Sequence, residues 1–246
     1  MKNDFDAMLL ISFGGPNSFD EVRPFLANVL RGRPVPPARI EKVVEQYAAI
    51  GGASPLNKIT ARQAESLAAQ LKANGDARKV YVGMKNWPPY IKDAVIAMKN
   101  DNVKLALGVP LAPHRSEASW EKYVQSADEA VAETGASGMQ IKCCDPWHTH
   151  PLFIEAICKR VRESFPSGED LNGWHGLFTA HSIPVEMDKQ SGYSAQILET
   201  VRAVTEKIGC EKWSVCYQSR SGRPDEPWLE PDINLKINEL ASSGIR

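Results

Sequence analysis

The chain has 246 residues, enough for one large domain or two small ones around a sizeable core. Twenty-nine Lys and Arg against 30 Asp and Glu leave a net charge of −1 with neutral histidines, so no global field favours nucleic acid or an anionic membrane. At 43% hydrophobic and 24% charged residues, the composition is that of a globular protein and argues against a disordered chain. The longest strictly apolar runs, such as 7–11, are five residues, far short of the ~20 that a bilayer-spanning helix needs. The polar, acidic start Met1-Lys2-Asn3-Asp4 has no secretory apolar stretch. Five cysteines without a CxxC spacing argue against a disulfide framework and a zinc module. A cytoplasmic, monomeric protein without a nucleic-acid partner is expected.

In chain order, apolar runs predict strands at 7–13, 79–84, 103–109, 139–143, 176–180 and 213–218. Most are continuous rather than alternating, the pattern of parallel strands covered on both faces. Helix signals fall between them. Residues 20–30 read as a helix running into Arg31-Gly32-Arg33. Residues 57–71 carry Ile59, Ala64, Leu67, Ala68 and Leu71 on one stripe; Trp120, Tyr123, Ala127, Ala130 and Val131 form another, ending before Gly135. Residues 193–208 set Ile197, Val201, Val204 and Ile208 at helical spacing, with Gly209 as the stop. This β-then-α repetition predicts an α/β fold of parallel sheets joined by right-handed crossovers. Residues 8–16 and 176–184 echo one another, each running from an apolar strand into a Pro-ended turn. The echo points to two lobes, 1–138 and 139–246. Residues 234–240 read as the close of a helix and Ile245-Arg246 as the start of another strand, so the second lobe is expected to be incomplete, truncated at the carboxyl end.

In a parallel α/β sheet, ligands collect beyond the carboxyl ends of the strands. That rule selects the turns 13–16, 83–87, 111–114 and 180–184. His181 follows an apolar strand closely, so a rigid support should aim its ring into a crevice. A neutral imidazole there can accept a proton near pH 7 or bind a divalent metal; a histidine satisfied by backbone groups is the alternative. His114 reads as a loop anchor. Gly14-Gly15 belongs to no GxGxxG or GxxxxGK[ST] pattern, and Pro16 removes an amide, which argues against a dehydrogenase or a P-loop NTPase. His148-Thr149-His150 with Asp145 sets three potential metal ligands within six residues, but Pro146 and Pro151 bracket it as a loop. Arg31 and Arg33 can grip carboxylates in bidentate fashion, or simply form a solvated helix end. Tyr47, Gly51-Gly52 and Ser54-Pro55 read as a compact polar loop open to a flat ligand. Cys143 and Cys144 read as small buried hydrophobes.

Together these stretches resemble the ferrochelatases, which insert ferrous iron into a porphyrin. The resemblance is carried by 9–16, Arg31-Gly32-Arg33, 46–56, 81–93, 111–116, 177–184 and 217–233, in that order over nearly the whole chain. Its most specific parts are Ala180-His181-Ser182-Ile183-Pro184 and Pro227-Trp228-Leu229-Glu230-Pro231-Asp232. The turns at 12–16 and 83–87 look like the bacterial coproporphyrin-using branch. The resemblance implies two Rossmann-like lobes with the macrocycle held between them, and Fe2+ and a porphyrin as substrates in haem biosynthesis. Coproporphyrin III is favoured over protoporphyrin IX, no iron–sulfur cluster is expected, and contact with a membrane surface or another haem-pathway enzyme stays open. His181 is implied as the catalytic, metal-side residue; Tyr47, Ser54 and Tyr123 as contacts of the macrocycle or its propionates; Arg31 and Arg33 as further propionate partners. Three departures stand out. The family's partner carboxylate lies beyond residue 246. Phe13 occupies a position where some members place a metal-ligating tyrosine, leaving Tyr123 as a substitute. Asn86 and Pro88 stand where related sequences often have histidine. Two other readings are an inactive porphyrin-binding fragment or homologue, and a chelatase for cobalt or nickel.

Overall fold

The computed structural model describes residues 5–31, 34–165, 173–223 and 225–245. Packing divides the chain into two units, Met1–Ala112 with Glu121–Asp145, and Pro113–Trp120 with Pro146–Arg246. In chain order the first carries β1 (Ala7–Ser12), α1 (Val22–Leu30), α2 (Pro37–Ala49), α3 (Leu56–Ala73), β2 (Lys79–Met84), α4 (Ile91–Asn100), β3 (Leu105–Pro110), α5 (Lys122–Glu133) and β4 (Gln140–Cys143). The second carries α6 (Pro151–Ser164), β5 (Gly176–His181), α7 (Val185–Ser191), α8 (Tyr193–Ile208), β6 (Trp213–Gln218) and α9 (Ile233–Ser242). All strand pairs are parallel.

The four-stranded sheet of the first unit has the order β2-β1-β3-β4. Its apolar strand β1 is buried almost throughout, and alternate residues serve two layers. Ala7, Leu9 and Ile11 pack with Ile91, Val95 and Met98 of α4 and with Tyr123 and Ala127 of α5. Ser12, on the opposite face, meets Thr60 of α3 through a buried hydroxyl pair at 3.4 Å. Helices α1 and α2 join through a separate cluster of Val22, Phe25, Leu26 and Val44. The expected helix at 20–30 opens with a 3-10 turn at Phe19–Glu21, and a π-helical turn at Glu117–Glu121 takes Trp120 out of α5.

Two further features depart from the sequence expectations in this part of the chain. Tyr47 lies on α2, not in a loop: Ile40, Val43, Val44 and Tyr47 recur at helical spacing, and Pro37 opens the helix. The lobe division drawn at 138/139 also differs from the packing, in which the chain passes between units after 112, 120 and 145. The reason is hydrogen bonding. Strand β4 registers on β3 from Leu105↔Gln140 to Gly108↔Cys143, which ties it to the first sheet. Residues 113–120 are tied to α8, with His114 Nε2 2.9 Å from Thr200 Oγ1 and the Arg115 amide donating to Gln196 Oε1 at 2.7 Å.

In the second unit β5 and β6 register from Gly176↔Trp213 to His181↔Gln218. Phe178 and Ala180 pack against Ile197 and Val201 of α8, while Thr179 and His181, at the alternate positions, are exposed. On this second face Leu177 is half-buried but Thr179 and His181 are exposed, so the expectation of cover on both faces fails for the carboxyl half of β5. Ile154, Cys158 and Val204 lock α6 to α8. Among the described residues no helix is long and apolar enough to cross a membrane.

Candidate active site

His181 is the last residue of β5, one position earlier in the turn than the sequence suggested. The ladder therefore holds its backbone while its ring stands in solvent. Its Nδ1 lies 2.6 Å from the carbonyl oxygen of Ser182. A carbonyl can only accept, so Nδ1 carries the hydrogen, and in the neutral ring Nε2 keeps its lone pair. No described residue hydrogen-bonds Nε2.

The residue whose carbonyl accepts from His181 is itself fastened. Ser182 is 2% exposed; its amide donates to Gln218 O at 2.8 Å and its hydroxyl donates to Leu229 O at 2.8 Å. Leu229 N donates to Ile183 O at 3.0 Å and Val185 N to Pro227 O at 2.9 Å, and Pro184 bridges Trp228 in antiparallel fashion. The 180–184 turn and the 227–231 turn are thus zipped together. Behind them Tyr193, half-buried, has its hydroxyl pushed up to about 12 by burial, and by Tyr217 and Asp188 nearby. It stays neutral at physiological pH.

The first unit builds its own strand-end turn. Asn57 spans Gly15, accepting from its amide at 2.9 Å and donating to its carbonyl at 2.7 Å, and Ser54 N donates to Pro16 O at 2.8 Å. Gly14 has φ +82, and a Cβ on Gly15 would lie 2.7 Å from Ser54 Cβ, so the close approach of the 54 loop requires glycine. Asn86, 7% exposed, ties the neighbouring turn to Phe13 O through its amide at 3.0 Å and its side chain at 3.1 Å. Phe25 meets the rings of Phe13, Tyr47 and Trp87 edge-on, with centroids 6.0–6.3 Å apart. Asn57 was not singled out in the sequence, because the loop it holds is 42 residues away.

The other expected residues fall as follows. Tyr47 and Ser54 are half-buried beside this turn, and burial raises the Tyr47 hydroxyl. Arg31 is exposed at the end of α1, and Arg33 lies outside the described residues. Tyr123 is 4% exposed with its ring in the core. Burial pushes its hydroxyl far above the ordinary value, which disfavours a ligating phenolate. His148 pairs with Glu199 at 2.8 Å and lies against His114 with ring centroids 5.8 Å apart and planes tilted by 34°, while His150 caps α6 by accepting from Leu152 N at 3.3 Å. These contacts engage both histidines of 148–150 elsewhere, and no group of three or more His, Cys, Asp or Glu able to hold a metal occurs among the described residues. Cys143 and Cys144 are half-buried, not fully buried.

The sequence model of the ferrochelatase family matches residues 5–246. Coproporphyrin III ferrochelatase of Mycobacterium avium (strain 104) is 38% identical over 247 residues, covering 98% of this chain and 70% of that protein. The protein of the same name from Mycobacterium sp. (strain JLS) is 39% identical over 249 residues, covering 98% and 71%. A solved multi-domain protein from Deinococcus radiodurans, described as structurally similar to chelatases, aligns at 16% identity with a TM-score of 0.46, covering 87% of this chain and 39% of that one. With a family match over nearly its full length and relatives at this identity, the chain belongs to the ferrochelatase family.

Proposed function

We propose that this chain inserts Fe2+ into a porphyrin, with coproporphyrin III, the acceptor named in its relatives, as the macrocycle, and with His181 as the residue that receives the displaced protons. Metallation breaks two pyrrole N–H bonds, forms iron–nitrogen bonds and releases two protons. A base beside the ring is therefore needed, and it must hold a free lone pair before the metal arrives. The observation that carries the assignment is the Nδ1–H to Ser182 carbonyl bond, which leaves Nε2 bare on an exposed ring at a strand end. On taking a proton at Nε2 the ring becomes imidazolium. Its Nδ1–H bond to the carbonyl then strengthens by charge assistance. Passing that proton to water resets Nε2 for the second. The same lone pair suits a transient contact with incoming iron, for which imidazole is a suitable ligand.

Tyr47, Ser54, Arg31 and Arg33 are assigned to the periphery of the macrocycle, the arginines to its propionates by bidentate pairing. Tyr123 enters only as a neutral hydroxyl, because its burial opposes ionisation. The test compares parental protein with His181→Ala, measuring coproporphyrin III affinity by Soret titration and anaerobic Fe2+ insertion by absorbance. Affinity should hold within about threefold, while insertion should slow by about 10²–10⁴-fold, the usual worth of a positioned base. Insertion at the parental rate would remove His181 from the mechanism.

A further inference from the structure

We propose that Ser182 is a positioning residue for metallation, its buried hydroxyl fixing which nitrogen of His181 carries the hydrogen. The inference rests on the role given to His181 and names the device that makes it competent. The tautomer of an exposed imidazole is set by whatever its other nitrogen bonds. For His181 that partner is the Ser182 carbonyl at 2.6 Å, so the orientation of one peptide decides whether Nε2 is a base or a donor. Two bonds fasten the residue that carries this carbonyl, one through the amide that precedes it and one through its side chain. The Ser182 amide is bound to Gln218 O on β6, and the Ser182 hydroxyl to Leu229 O in the 227–231 turn, each at 2.8 Å. The first is a strand-end backbone bond available to nearly any residue. The second needs a short side-chain donor. At 2% exposure no water can replace it, and Leu229 O would lose that donor.

Without the hydroxyl, the Ser182 carbonyl is free to tilt and His181 to take the Nε2–H form, whose solvent-facing Nε2 neither accepts a pyrrole proton nor binds iron. The expected signature is kinetic and spectroscopic at once. If only the Nδ1–H tautomer reacts, a tenfold fall in its population slows metallation about tenfold while porphyrin affinity stays unchanged.

The experiment uses protein with 15N-labelled histidine, reading the His181 ring nitrogen shifts by NMR alongside coproporphyrin III affinity and Fe2+ insertion. Ser182→Ala should increase the Nε2–H form, slow insertion about tenfold and leave affinity unchanged. Ser182→Cys, nearly isosteric and still a weak donor, should fall between Ala and the parent. Should the alanine variant fail to fold, the cysteine variant is judged by the same readouts. An unchanged tautomer in the folded variants overturns the proposal, whether or not the rate falls, because a rate loss alone would be merely structural. A parental insertion rate in His181→Ala would instead remove His181 from the mechanism while leaving iron insertion itself standing, and would overturn the metallation role of Ser182 whatever the tautomer.

Discussion

Acidification should weaken the second unit through His114, and the size of the effect follows from its surroundings. The ring is bound to Thr200 Oγ1 at 2.9 Å, meets Phe153 and Tyr193 edge-on at 6.4 and 6.0 Å, and lies 5.8 Å from His148, itself paired with Glu199. Burial, and secondarily His148, hold its pKa down to about 4 from an ordinary 6.5. A histidine with a lowered folded-state pKa gives its full contribution above the unfolded value of 6.5 and loses it as pH falls towards 4, because the unfolded chain takes up the proton first. One proton is worth about 1.4 kcal/mol per pH unit, so the interval from 6.5 down to pH 5 removes about 2 kcal/mol. Urea unfolding of parental protein and His114→Gln at pH 7 and pH 5, followed by far-UV circular dichroism, isolates the term. The parent should lose about 2 kcal/mol more than the variant on acidification. Equal losses would refute the reasoning, because they would mean His114 is not held neutral by folding.

The strand-end turn of the first unit offers two further tests. Asn57→Ala strips the buried Gly15 amide and carbonyl of their partner and should cost about 1–3 kcal/mol by urea unfolding; a change below about 0.5 kcal/mol would show that the clamp is not needed. Gly15→Ala places a Cβ 2.7 Å from Ser54 Cβ and 2.8 Å from Ser54 Oγ, so it should displace the 54 loop and weaken coproporphyrin III binding several-fold in Soret titration. The thiols give a third. Burial pushes Cys143 up to about 12 and raises Cys144, Cys158 and Cys216, so the folded chain should react slowly with a disulfide reagent at pH 8. All five cysteines should react at once in denaturant.

Much of the architecture is legible in the sequence because burial and periodicity are local. Residues 79–84, 193–208 and 213–218 form the expected elements to the residue, each an apolar run or stripe with a clear stop. Helix α2 carries the same signal at Ile40, Val43, Val44 and Tyr47, but the polar residues around Tyr47 read more strongly as a loop. The assignment of β4 to the first sheet and of His114 to α8 is not legible, since both depend on hydrogen bonds between distant segments. The candidate site divides in the same way. His181 stands out because a histidine closing an apolar strand has few structural reasons to be there. The tautomer that makes it useful depends on Ser182, and the bond holding Ser182 spans 47 residues to Leu229. Tyr123 shows the converse: one stripe serves equally for a ligand contact and a core ring, and the structure puts the ring in the core.

The most direct test is chemical rescue at residue 181. In His181→Gly, anaerobic Fe2+ insertion into bound coproporphyrin III should be slow, and free imidazole should restore it in proportion to its concentration and with the pH dependence of the added base. Parental insertion without imidazole, or a slow variant that imidazole leaves unchanged, would contradict the account.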